Sequence, residues 1–228
     1  MGNELQRSSA NKQNRREFLK TTAILGGTML SALPGAYAGG NDEIKVALVG
    51  CGGRGTGAAF DALATGHNIR IVAMADEFRD RLDDAYEKLS KKYADRLAVS
   101  EERKFIGFEA YRQAIALADV VLLTTPPGFR PIHFEEAVRQ GKHVFMEKPV
   151  AVDIPGVKKV LAAAKIAKQK KLNVVVGLQR RYQAVYRDTI KRIQDGAIGD
   201  IVAGQVYWNS GGVWVRPREA GQTEMEYQ

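Results

Sequence analysis

An apolar run that ends in three spaced glycines constrains this chain more than any other feature. Ala47, Leu48 and Val49 read as a buried strand, and Gly50, Gly52 and Gly55 follow in G-x-G-x-x-G order. In such a strand–turn–helix the first glycine allows a tight turn, and the second lets backbone approach a pyrophosphate. The third lets the helix sit close on its strand. The helix N-terminus offers unpaired N–H groups and the positive end of its dipole to an anion. With 23 glycines in the chain, the spacing alone also fits a flexible turn.

The next strand weighs between these readings. His67 to Ala75 is apolar enough for a buried parallel strand, and it ends in Asp76-Glu77. A carboxylate about 20 positions past the glycine loop is placed to accept hydrogen bonds from the adenosine ribose hydroxyls. It would also repel a 2′-phosphate, which favours NAD, while Arg79 nearby keeps NADP possible. The plainer reading makes Asp76 the start of a solvated turn. Loop, strand and acid in register support a dinucleotide site.

Further strands alternate with helices. A helix is expected from Gly55 to Thr65, packing Ala58, Ala59, Leu63 and Ala64 on the sheet, and another from Asp80 to Tyr93 with a charged outer face. A short strand near Phe105-Ile106-Gly107 and a helix from Ala110 to Leu117 lead into a buried strand, Asp119 to Thr124. Thr125-Pro126-Pro127-Gly128 breaks that strand. A helix from Ile132 to Gln140 and a strand at Val144-Phe145-Met146 follow. Parallel strands need crossover connections, so this alternation predicts an α/β fold with a doubly wound parallel sheet. Beyond it, Val157, Val160, Leu161 and Ala164 form a helical stripe, and Asn173 to Gly177 a strand. The formal charge of +8 includes +3 from residues 1–38. The remainder is spread along helix faces and lacks the basic, aromatic-interleaved stripe of a nucleic-acid binder. The single cysteine, Cys51, excludes an internal disulfide framework, and its place in the loop reflects a small side chain.

Four separated segments, VALVGCGGRG, ADVVLLTTPPGFRPIH, GKHVFMEKPVAVD and NVVVGLQRRY, occur in the order seen in the glucose-fructose oxidoreductase/inositol dehydrogenase (Gfo/Idh/MocA) family. The chain resembles that family over roughly residues 44 to 210. The resemblance implies a Rossmann domain over 39–178. A second, α+β substrate domain with an open, mostly antiparallel sheet would then begin at 179–228. It implies NAD(P) contacts from Gly50, Gly52, Gly53, Arg54, Gly55, Asp76, Thr124, Thr125, Pro126, His133, Glu147 and Lys148. Lys148 of the Glu147-Lys148-Pro149 motif is the implied catalytic residue, hydrogen-bonding or protonating the substrate oxygen as hydride moves at the same carbon. Pro149 is a candidate cis peptide. Oxidising a carbinol independently requires a group to handle the oxygen's proton; taken alone, Lys148 also fits a surface lysine at a strand end. His133 lies near the cofactor by resemblance, and otherwise reads as a partly exposed residue in the first turn of its helix. Arg181 and Tyr182 either reach substrate or pair across the domain interface. No metal site is expected.

The expected activity is NAD(P)-dependent hydride transfer to or from a sugar, polyol or glycoside. The alternatives are an NAD-dependent glycosidase working by transient oxidation and elimination, and a non-catalytic nucleotide-binding protein. Tyr182, Val185, Tyr186, Thr189, Ile190 and Ile193 recur at helical spacing, and Ile201 to Trp208 alternates like a strand. About 50 residues are too few for a closed second sheet. A C-terminally truncated chain is therefore expected, inactive alone, with Trp208, Val213 and Trp214 unburied; the full-length protein is expected to be a homo-oligomer. At the other end, Arg15-Arg16, Phe18-Leu19-Lys20, a modestly apolar run and Ala36-Tyr37-Ala38 resemble a Tat export signal over 1–38. That implies a periplasmic protein with no membrane span after processing.

Overall fold

The structure is a computed structural model that describes residues 43–212 and 217–227. The expected export signal, and Val213 and Trp214, lie outside the described residues. The chain divides between Val176 and Gly177 into two compact units.

The first unit is a six-stranded, wholly parallel sheet. Its strands are β1 (Ile44–Val49), β2 (Ile69–Asp76), β3 (Lys104–Ile106), β4 (Val120–Leu123), β5 (His143–Met146) and β6 (Val174–Val176), in the order β3-β2-β1-β4-β5-β6. The helices between them are α1 (Gly53–Leu63), α2 (Arg79–Tyr93), α3 (Ala110–Ala116), α4 (Arg130–Arg139) and α5 (Ile154–Gln169). Side chains alternate across a strand, so β1 serves two cores. Val46 and Leu48 pack with Leu63, Leu82 and Leu89 of α1 and α2. Ala47 and Val49 face the opposite layer, with Ile115, Phe134 and Ala163 of α3, α4 and α5. This is the doubly wound parallel sheet expected from the alternation of elements.

Several local expectations shift. Helix α1 starts at Gly53 and closes at Leu63, so Ala64 is an exposed C-cap and not one of the buried residues on the sheet. Helix α4 begins at Arg130, two residues early, because Pro131 suits a first turn that needs no N–H donor. In α5 the buried stripe is Gly156, Val160, Ala163 and Ala167, whereas Val157, Leu161 and Ala164 face out. That helix is apolar on two sides, and its small residues are the ones that fit against the layer below.

The second unit carries a short helix α6 (Gln179–Tyr182), α7 (Ala184–Gln194) and α8 (Glu224–Tyr227). The expected strand over Ile201 to Trp208 does not form: those residues have no ladder partner among the described residues. Alternation specifies a strand's two faces, but only a neighbour can satisfy its backbone. None of the described residues of this unit is buried.

Candidate functional site

Strand register assembles the site. Val49 is level with Ala75 of β2 and with Leu123 of β4, and Leu123 with Met146 of β5. The next residues of those strands, Gly50, Asp76, Thr124 and Glu147, therefore lie along one carboxyl edge. Between β1 and β4 the strand order reverses, and in open α/β sheets that crevice is where ligands bind.

Gly50 turns with φ +96°, and a Cβ there would lie 2.5 Å from the Thr125 backbone nitrogen. A Cβ on Gly55 would lie 1.9 Å from the Gly50 carbonyl oxygen, so α1 sits against the turn at a distance only glycine permits. Thr124 holds the same turn from β4: its hydroxyl lies 2.6 Å from the Gly50 carbonyl and 3.0 Å from that of Val49. Its side chain is thus spent on the loop. Gly52 differs, since a Cβ there would meet nothing within 4 Å. It caps α1, where the N–H groups of Gly53, Arg54 and Gly55 have no helix acceptor.

The Asp76 carboxylate stands beside this loop. Its Oδ2 accepts from the Cys51 N–H at 2.6 Å and its Oδ1 from the Phe78 N–H at 3.0 Å. Each oxygen retains a lone pair for a ribose hydroxyl. Open space at Gly52, free helix N–H groups and a carboxylate one strand away fit the phosphates and ribose of a dinucleotide. Arg79 turns away from this function, with Nη1 3.4 Å from Glu101 and 3.8 Å from Asp83. Burial, and then the charge of Asp76, push the Cys51 thiol well above its usual range, so it stays protonated and inert.

The other half of the edge is built around the Glu147-Lys148-Pro149 motif. Glu147 is buried and accepts from Arg54 Nε at 2.7 Å, which ties the glycine-loop helix to the end of β5. Lys148 follows, exposed, and the Lys148–Pro149 peptide is cis, as the resemblance implied. Thr125 and Pro126 form the lip after β4, with Pro126 exposed. The Thr125 hydroxyl lies 3.1 Å from His133 Nδ1. His133 is buried, contrary to its plainer reading as partly exposed: α4 turns it inward against the Tyr111 ring, with centroids 4.2 Å apart. Burial, and then the Arg130 charge, hold it down to about 4, so the imidazole is neutral at pH 7.

Arg130 is the residue that sequence reasoning missed. It is 2% exposed, and its guanidinium donates to the carbonyls of Thr125 and Pro149. Arginine is rarely buried, and its two acceptors are backbone atoms from separate loops. The only local signal was its place one residue before a helix-starting proline. Arg181 and Tyr182 are exposed on α6 of the second unit and make no side-chain hydrogen bond among the described residues.

Residues 44–178 match the family model described as an oxidoreductase family with an NAD-binding Rossmann fold. The chain belongs to the Gfo/Idh/MocA oxidoreductase family. It is 30% identical over 158 residues to an inositol 2-dehydrogenase of Rhizobium meliloti, covering 69% of this chain and 43% of that protein. A second inositol 2-dehydrogenase, from Burkholderia cenocepacia, is 29% identical over 161 residues, 68% of this chain and 43% of that one. Among solved structures, the scyllo-inositol dehydrogenase of Lactobacillus casei with bound NAD(H) and scyllo-inositol superposes with a TM-score of 0.55. The identity is 25%, over 69% of this chain and 43% of that one. This Gfo/Idh/MocA chain thus spans less than half the length of the relatives it matches, and residues 44–178 are its NAD-binding Rossmann domain.

Proposed function

We propose that the protein is an NAD-dependent oxidoreductase acting on a cyclic polyol or sugar. Gly52 to Gly55 would take the pyrophosphate and Asp76 the adenosine ribose. Thr125, Pro126 and the exposed Lys148 would face the nicotinamide end. Bound NAD supplies the hydride acceptor. Lys148 would handle the other product of carbinol oxidation: its amine would accept the hydroxyl proton as the hydride leaves the same carbon, and would become the ammonium. The carboxylate at Asp76, together with an Arg79 already engaged by Glu101 and Asp83, favours NAD over NADP. The substrate class rests on the inositol dehydrogenases among the relatives.

The observation that carries this reading is the register placing the glycine loop, Asp76 and the Glu147-Lys148 turn on adjacent strand ends. The test is NADH formation from NAD with myo-inositol, scyllo-inositol and glucose, by the whole protein as wild type and as Lys148→Met. The variant is expected to keep NAD affinity and lose about a hundredfold or more in turnover, the usual size of a general acid–base contribution. Glycoside cleavage without net NADH would replace this reading with the elimination chemistry. We further propose that residues 1–38 direct export: the paired Arg15-Arg16 ahead of a weak apolar run and Ala36-Tyr37-Ala38 support it. Cell fractionation of wild type against an Arg15→Lys/Arg16→Lys double variant tests this. Equal distribution of the two would rule it out.

A further inference from the structure

Arg130 is a buried cation whose contacts are not explained by packing alone. Its guanidinium is sealed from solvent and has no carboxylate within ion-pair distance among the described residues. Nη1 donates to the Pro149 carbonyl, Nη2 donates to the Thr125 carbonyl, and Nε has no acceptor. Burying a charge on neutral acceptors is costly, and a leucine or methionine would fill a similar volume without that cost. What a hydrophobic residue cannot do is hold two carbonyls in a fixed relation; a planar fork of donors can. The carbonyls belong to the two loops that flank the proposed nicotinamide end. One precedes Pro126 in the lip after β4, and the other lies one residue beyond Lys148. Among the described residues the Arg130 side chain makes no hydrogen bond to the glycine loop or to Asp76, which are held by their own hydrogen bonds.

We propose that Arg130 is a positioning residue for hydride transfer. Through the two carbonyls it sets the spacing between the Thr125–Pro126 lip and Lys148, and so fixes where the nicotinamide ring sits. The inference rests on the NAD reading above and assigns the two halves of that site to separate supports. The adenosine and pyrophosphate half depends on the loop and Asp76, and the nicotinamide half depends on Arg130.

The experiment compares NADH and ADP-ribose binding to the full chain, for wild type, Arg130→Met and Arg130→Lys, with the emission of saturating bound NADH as a second readout. In Arg130→Met, NADH binding is expected to weaken about tenfold, the size of a lost charged hydrogen bond, while ADP-ribose binding stays within about twofold. The bound NADH emission is expected to move towards that of free NADH. Arg130→Lys, which can still donate to the carbonyls, is expected to recover part of both effects. Three results overturn the inference: unchanged NADH binding and emission in Arg130→Met, a parallel loss of both ligands, or failure of both variants to fold. The last two would make Arg130 a staple of the fold alone. Failure of the NAD reading is separately visible, because wild type would then bind neither ligand, and the inference would fall with it.

Discussion

Gly52 and Gly55 are three residues apart at the start of α1, yet they have opposite physical reasons to be glycine. At Gly55 an added Cβ meets the Gly50 carbonyl oxygen at 1.9 Å, and neither backbone can yield without opening the turn. At Gly52 the same Cβ meets nothing, and the backbone has an ordinary extended conformation with φ −67°. Gly55→Ala is therefore expected to lower the thermal midpoint and to abolish NADH binding. Gly52→Ala is expected to fold normally, within about 1 kcal/mol because only a helix cap changes, and to lose NADH affinity about tenfold or more. That last loss follows because its methyl would occupy the space assigned to phosphate. Melting curves and NADH titration of the two variants separate these outcomes. A Gly52→Ala protein that binds NADH as wild type does would move the phosphates elsewhere. The glycine spacing and Asp76 were legible in the sequence because each acts locally, at or just beyond the end of a strand. Thr124 was legible only as a position. That its hydroxyl turns inward to the Gly50 carbonyl depends on how closely β1 and β4 pair.

Helix α4 shows what one element can conceal. Its sequence reads as a short amphipathic helix, but it buries Arg130, His133 and Glu136 in succession along its inner side. Glu136 is satisfied by Arg139, Gln140 and Arg112, and hydrogen bonds from Arg139 above all hold its carboxylate down to about 2. His133 has no such compensation. Burial above all, and then the charges of Arg130 and Arg112 with only Glu109 to favour the cation, hold it near 4 in the fold against roughly 6.5 in the unfolded chain. Between those values the unfolded chain binds a proton that the folded chain refuses. Stability is therefore complete above about pH 6.5 and falls as pH drops towards 4, by up to roughly 3 kcal/mol. Urea unfolding at about pH 7 and about pH 5 is expected to show this loss in wild type. His133→Gln should show a distinctly smaller difference between the two pH values. An equal pH dependence in both proteins would assign the acid sensitivity to other groups. None of this was legible in the sequence, because a histidine's burial depends on Tyr111 and Thr125 from neighbouring elements. Helix α5 misled for a related reason: when two faces of a helix are apolar, periodicity cannot say which one packs.

Across the whole molecule, every fully buried apolar side chain among the described residues lies between Val46 and Ala167, inside the parallel sheet and its helices. From Gly177 onward the pattern reverses. Val185, Ile190 and Trp208 are 66%, 51% and 76% exposed, although their spacing in the sequence is that of residues meant to be covered. Full burial of such side chains contributes about 1.5–3 kcal/mol each, and here only a part of that is realised within the unit. The alternation over Ile201 to Trp208 was legible as a strand pattern, but a pattern supplies one half of a ladder and the pairing neighbour supplies the other. The first unit should accordingly fold and bind cofactor without the second. Residues 43–176 are expected to retain NADH affinity within about twofold, and to melt within a few degrees of the full chain, because no described residue of unit 2 is buried. The full chain should bind a hydrophobic dye such as anilinonaphthalene sulfonate, and the 43–176 protein should bind little, because the uncovered apolar face lies in the part removed. Loss of NADH binding on truncation would mean that the cofactor site extends past Val176. Dye binding that persists in the shorter protein would place an uncovered face on α5, whose outward Ile154, Val157 and Leu161 remain exposed there.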